Sequence, residues 1–203
     1  MIDHPLVHDA LMELRDVRTG PPAFRRAASR ISVLLAAEAL RALPTVAATV
    51  TTPLGPADGR VIRADVVVVP VLRAGLSMVD AVLQLVPSAR VGHIGLQRDE
   101  STAVASRYYS RLPPQIGDSH LLMVDPMLAT GGSAVAAIDL VKAAGGRSIS
   151  LLCIITAREG VAMVQARHPD VEVYAPVVDR ELNAHKFIVP GLGDFGDRLY
   201  GTT

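Results

Sequence analysis

Four consecutive β-branched residues, Val66-Val67-Val68-Val69, constrain this chain more than any other feature. A strand sends successive side chains to opposite faces of its sheet, so such a run needs an apolar layer on both faces. The sequence that follows supplies those layers. Short apolar runs at 91–96, 121–124, 149–155 and 171–174 alternate with helical stretches at 76–86, 133–144 and 160–167, the second helix being ended by Gly145-Gly146. Strand–helix alternation of this kind implies an α/β class, a central parallel sheet flanked by helices. Ahead of it, apolar residues at helical spacing predict helices over 4–18 and 24–43. Gly20-Pro21-Pro22 ends the first and Pro44 the second. Residues 45–65 read as short strands around a Pro/Gly turn, a β-arm outside the core.

A length of 203 residues fits one domain, 1–203: N-terminal helices at 1–44, the β-arm at 45–65, an α/β core at 66–178 and a terminal segment at 179–203. With half its residues hydrophobic and a mean hydropathy of +0.34, the chain is not a disordered one. One cysteine excludes a disulfide framework and a multi-cysteine zinc site. Twenty Lys+Arg balance twenty Asp+Glu, which argues against a nucleic-acid partner or an acidic membrane surface. The apolar stretch 31–50 is interrupted by Glu38, Arg41 and Pro44, and acidic residues break any secretory apolar core near the start. A cytoplasmic location with no membrane partner is the expectation. So apolar a chain also leaves room for a hydrophobic contact between copies.

Two stretches stand outside the alternation, the polar connection 97–119 and the Gly- and Asp-rich tail from Asp179, which has no helical period. Both are candidates to carry function, since the crevice of an open α/β sheet lies at the carboxyl ends of its strands. The richest motif is Asp125-Pro126-Met127-Leu128-Ala129-Thr130-Gly131-Gly132-Ser133, leading from a strand into a helix. Its glycines allow backbone N–H groups to crowd an anion, the helix N-terminus adds partial positive charge, and hydroxyls donate. Asp125 stands where a carboxylate can hold two ribose hydroxyls or face a metal-bound diphosphate. The plainer alternative is a strand–turn–helix joint with a Ser or Thr cap. A P-loop is excluded, because no Lys follows the glycines. Arg73, just past a strand and followed by Ala74-Gly75, suits an anion, or snorkels at a strand end. Arg98 also follows a strand and reads equally as a solvated loop residue. Gly191-Leu192-Gly193-Asp194-Phe195-Gly196 matches G-x-G-x-x-G, yet too few residues remain to build a dinucleotide-binding unit. The six histidines show no metal-ligand spacing, and Cys153 reads as a small buried hydrophobe.

The stretch Asp125 to Ser133 resembles the 5-phosphoribosyl 1-diphosphate (PRPP) loop of phosphoribosyltransferases, in the form found in the uracil phosphoribosyltransferase family. His4-Pro5-Leu6-Val7, the run from Val69 to Leu76, Gln97-Arg98-Asp99-Glu100 and the run from Ile188 to Asp197 resemble the same family in the same order. The resemblance implies a phosphoribosyltransferase-type fold with a C-terminal hood over the base. It implies the reaction uracil + PRPP → UMP + diphosphate, with Mg²⁺ carried by PRPP and no dedicated protein metal site. It assigns PRPP to Arg73, Arg98, Asp125, Pro126, Met127, Leu128, Ala129, Thr130, Gly131, Gly132, Ser133 and Asp194. Uracil falls to Ile188, Gly193, Asp194 and Phe195, with Arg73, Asp125 and Asp194 as the catalytic set. Uracil's edge alternates donor and acceptor as a peptide does, so a glycine-rich main chain can pair with it. The resemblance makes 99–112 a mobile cover, GTP a candidate activator (as in part of the family), and a homodimer or larger assembly the expected state. Arg158, Glu181 and Phe187 depart from the family's usual Pro, Gly and Tyr and bear on base preference. The rival expectations are another nucleobase as acceptor, or a non-catalytic RNA-binding regulator on this fold.

Overall fold

The computed structural model describes residues 1–98 and 105–202. Two helices come first, α1 (Pro5–Arg15) and α2 (Pro21–Ala39), then an antiparallel hairpin of β1 (Thr45–Thr52) and β2 (Gly55–Ile62). β3 (Val66–Leu72) leads through a 3₁₀ turn (Ala74–Met78) into α3 (Val79–Leu85). β4 (Arg90–Val91), β5 (His93–Arg98), β6 (Ala105–Arg111), β7 (His120–Val124) and β8 (Met127–Leu128) precede α4 (Gly132–Ala143). β9 (Ser148–Leu152), β10 (Ile155–Ala157), α5 (Arg158–Arg167) and β11 (Glu172–Tyr174) complete the alternation. The terminal segment holds β12 (Val178–Asp179), β13 (Glu181–Leu182), β14 (Ile188–Val189) and α6 (Phe195–Tyr200).

The main sheet runs β11-β9-β7-β3-β5-β6, with β4 also on β3, and every pairing is parallel except β5 with β6. The valine run sits at its centre. Val66 and Val68 face one layer with Phe24, Ile31 and Leu35 of α2, while Val67 and Val69 face the other with Ile138 and Val141 of α4. All four valines are at most 2% exposed, which is why the run carries no polar residue. Each such side chain contributes about 1.5–3 kcal/mol on burial.

Several local readings are corrected. Gly20-Pro21-Pro22 does not end α1, which stops at Arg15; it starts α2, with Gly20 at the N-cap and Pro21 in the first turn, where a missing N–H costs nothing. The apolar run 149–155 is two strands. Cys153 donates its N–H to Tyr174 O, whereas Ile154 and Ile155 donate theirs to Pro126 O, so the chain leaves the main sheet for a small parallel one, β12-β10-β8. Residues 105–111, read as part of a cover loop, form β6 on the sheet's edge, where exposed Arg107, Tyr108 and Tyr109 meet solvent. Gly95 leaves room for the Tyr108 ring, which a Cβ there would meet at 2.5 Å. The start of that cover, with Asp99 and Glu100, lies outside the described residues. The tail has a helix after all. α6 is six residues long, too short to show a period, and buries Phe195 and Leu199 one turn apart between an Asp194 N-cap and a left-handed Gly201.

Candidate active site

Parallel register sets the site. Pro70 of β3 lies opposite Val124 of β7, and Val124 opposite Leu152 of β9. Arg73 and Asp125 therefore leave the sheet at the same edge, the carboxyl ends of its strands. The 3₁₀ turn after Arg73 lies directly on the end of β7: a Cβ on Gly75 would stand 2.4 Å from Val124 O. Arg73 is exposed, and among the described residues no hydrogen bond or ion pair engages its guanidinium. Its carbonyl accepts from Leu76 N–H and from the Tyr200 hydroxyl at 3.3 Å, which ties this corner to α6. The Leu72–Arg73 and Val189–Pro190 peptides are cis.

Asp125 receives the Met127 N–H at 3.4 Å, and its own N–H bonds Leu152 O. Burial pushes its carboxyl up to about 7, against the lowering effect of the Met127 N–H. The loop then reaches Gly131, whose φ of +85° suits glycine and whose Cα faces α5 so closely that a Cβ would meet Gly160 O at 2.9 Å. Gly131 caps α4 with no side-chain hydrogen bond, and no acidic residue stands in the first turn. The helix's positive end is left open to a cavity of ≈ 90 Å³ lined by Asp125, Met127, Ala129, Thr130, Gly131 and Ser133. A Cβ on Gly132 would meet nothing nearer than Thr130 Oγ1 at 3.9 Å.

The terminal segment closes the other side. Asn183 Oδ1 accepts the N–H groups of His185 and Phe187, each at 3.0 Å, shaping the tip between β13 and β14. Beneath it lies a cavity of ≈ 230 Å³ bounded by Met127, Ala129, Phe187, Ile188, Gly193 and Asp194. A third, of ≈ 240 Å³, lies between Arg73, Ala74, Met127, Asp194 and the main chain at 195–196. Met127 borders all three, Ala129 the first two and Asp194 the last two, so they are parts of one cleft. Another cavity, of ≈ 300 Å³ at the opposite end of the strands near His120, Ser148 and Glu172, contains none of the sequence-nominated residues.

The nominated residues are thus brought together, though not all by their side chains. Pro126 is buried and serves the small sheet through its carbonyl, and Leu128 packs in the core. The Phe195 ring is 1% exposed and meets the edge of Phe24 at 5.0 Å, which leaves only its main chain for the cleft. Asp194 Oδ1 accepts Asp197 N–H at 2.9 Å, so one carboxylate oxygen is the N-cap of α6. Arg98 is the last residue of β5, and its side chain lies outside what the structure describes. Cys153 is fully buried, its thiol held high by burial and by Asp125. Phe187, expected near the base pocket, does bound the base-side cavity, whereas Met127, nominated for PRPP alone, borders all three cavities. The Asx turn from Asn183 was the available signal for Phe187. Among the described residues no three His, Cys, Asp or Glu side chains converge on a point, and no helix is long and apolar enough to cross a membrane.

Comparison with known proteins gives a consistent result. The family model described as uracil phosphoribosyltransferase matches residues 1–202. The uracil phosphoribosyltransferase of Dictyoglomus thermophilum is 51% identical over 203 residues, covering 100% of this chain and 98% of the relative. The solved AQ2163 protein of Aquifex aeolicus superposes with a TM-score of 0.94 at 34% identity, over 100% of this chain and 97% of its own. A hypoxanthine-guanine phosphoribosyltransferase of Bacillus anthracis, at 11% identity and a TM-score of 0.54, covers 78% of this chain and 80% of its own and shares the fold alone.

Proposed function

Given that this chain belongs to the uracil phosphoribosyltransferase family, we propose that its cleft transfers the phosphoribosyl group of PRPP to uracil, releasing UMP and diphosphate in pyrimidine salvage. The observation that carries this reading is that the uncapped start of α4, the Arg73 corner and the Gly193–Asp194 cavity all border Met127. The 5-phosphate occupies the cup from Thr130 to Ser133, where the start of α4 meets an anion. Asp125 accepts the two ribose hydroxyls, and Arg73 forks onto the diphosphate, joined by Arg98 from the end of β5. Uracil lies against the main chain at 193–195 and the Ile188 side chain.

The C1–O bond breaks with its electron pair leaving on diphosphate, and N1 of uracil supplies the pair for the new C1–N1 bond. Asp194 borders both the base cavity and the diphosphate corner, which makes it the carboxylate to receive the N1 proton. Positive charge on the ribose develops between Asp125 and the departing diphosphate, so catalysis comes from positioning and charge stabilisation. Mg²⁺ would be held chiefly by PRPP's own oxygens, with Asp125 and Asp194 as the cleft carboxylates available to it, and would supply charge neutralisation for the leaving group. A second copy of the chain is the natural cover for the β-arm, whose Val46, Val50, Leu54 and Ile62 are exposed on a two-stranded hairpin. GTP as an activator rests on the family alone.

The test is incubation with Mg²⁺, PRPP and, separately, uracil, cytosine, hypoxanthine or guanine, following nucleotide formation. UMP from uracil, with the other bases unconverted, is the expected result. Conversion of a purine in its place, or of no base, overturns the reading.

A further inference from the structure

The main chain that faces the base cavity is held from behind by two arginines. Gly191 has both its polar groups taken: its N–H donates to Asp179 Oδ2 at 2.8 Å, and its carbonyl accepts from Arg15 Nη1 at 2.8 Å. Arg15 and Asp179 are themselves joined by two further bonds, at 2.9 and 2.7 Å, with the Asp179 side chain only 5% exposed. The next carbonyl, Leu192 O, accepts from Arg198 Nη1 at 2.8 Å, and the same guanidinium donates to Leu14 O and Asp16 O on either side of Arg15. It also lies 4.6 Å above the Phe24 ring, which packs on Phe195. The two peptide groups immediately before Gly193 are therefore fastened to the end of α1. None of these hydrogen bonds reaches the phosphate cup, although its β8 shares the small sheet β12-β10-β8 with Asp179.

We propose that Arg15 is a positioning residue for base recognition: through Asp179 and the Gly191 carbonyl it fixes the direction in which the peptide groups at 193–195 present their donors and acceptors. It touches no substrate. A hydrogen-bonding edge discriminates only when its groups are held in place, so loosening it weakens uracil binding while leaving PRPP at its own subsite. This inference rests on the assignment of the Gly193–Asp194 cavity to uracil.

Three variants test it, with kcat and the KM of each substrate measured and folding followed by circular dichroism. Arg15→Lys keeps a charge opposite Asp179 but lacks the planar fork that also reaches Gly191. Asp179→Asn keeps an acceptor for the Gly191 N–H but weakens the hold on Arg15. Gly193→Ala strains the main chain that bounds the cavity, since Gly193 has a φ of +82° and a Cβ there would stand 3.6 Å from the Arg198 side chain. The expected result for Arg15→Lys is a KM for uracil raised about tenfold, with kcat and the KM for PRPP within about twofold of the parent, and a smaller rise for Asp179→Asn. Unchanged KM for uracil in both, or equal rises for both substrates, overturns the role of Arg15 while an effect of Gly193→Ala leaves the uracil site standing. No effect of Gly193→Ala overturns the uracil site, and the inference with it.

Discussion

Asp125 is a carboxyl group of the cleft whose ionisation burial strongly disfavours. Its value in the folded protein, about 7, stands above the ordinary 3.8, so between those limits the folded state binds more proton than the unfolded one. The stability this adds is complete below about pH 3.8 and is lost as pH rises through about 7. Asp125→Asn removes the term. Thermal melts of the ligand-free proteins should show the variant gaining on the parent from pH 4 to pH 7, by a few kcal/mol at most, with no further gain above. A stability difference that does not change across that window contradicts the burial argument. The placement of Asp125, Arg73 and Thr130 to Ser133 was legible in the sequence because it is local: a strand exit, or the approach to the first turn of a helix. The Phe195 ring was not, since its direction depends on Phe24 in α2. Neither was the Arg15–Asp179 pair, whose members are 164 positions apart.

α4 and the 3₁₀ turn after Arg73 offer a contrast between two kinds of glycine. At Gly132 a Cβ would meet nothing nearer than Thr130 Oγ1 at 3.9 Å, whereas at Gly75 it would strike the carbonyl at the end of β7. Gly132→Val should fold and melt like the parent yet show no PRPP binding by calorimetry. Gly75→Ala should lose about 1–3 kcal/mol of stability through overpacking. Normal PRPP binding by Gly132→Val removes the cup from the site. Long buried elements such as β3 and α4 were readable from composition and period because their environment is uniform along their length. The elements that were misread obey more local rules. α6 is a single anchored turn and a half, β6 is an edge strand whose polar residues tolerate water, and the Pro21 start of α2 is a capping effect placed where a stop was expected.

The parallel pairing of the sheet, which only β6 breaks, followed from the valine run and the strand–helix alternation, whereas its strand order was not read from the sequence. Whether copies of the chain associate is not written in that way, because exposed apolar residues on an arm do not say what covers them. Light scattering on a sizing column should give a mass of at least twice 21.4 kDa, and Val50→Asp with Leu54→Asp should reduce it to the single-chain value without loss of secondary structure. A parent protein that runs as one chain contradicts the assignment of the arm. On the proposed assignment, one cleft reads a phosphate through the start of α4 and a pyrimidine edge through the main chain beyond Gly191. Calorimetric titration with UMP, CMP and uridine tests both halves at once. UMP should bind at least about tenfold more tightly than CMP, whose edge reverses a donor and an acceptor, and than uridine, which lacks the phosphate. Equal affinity for UMP and either of the other two would contradict it.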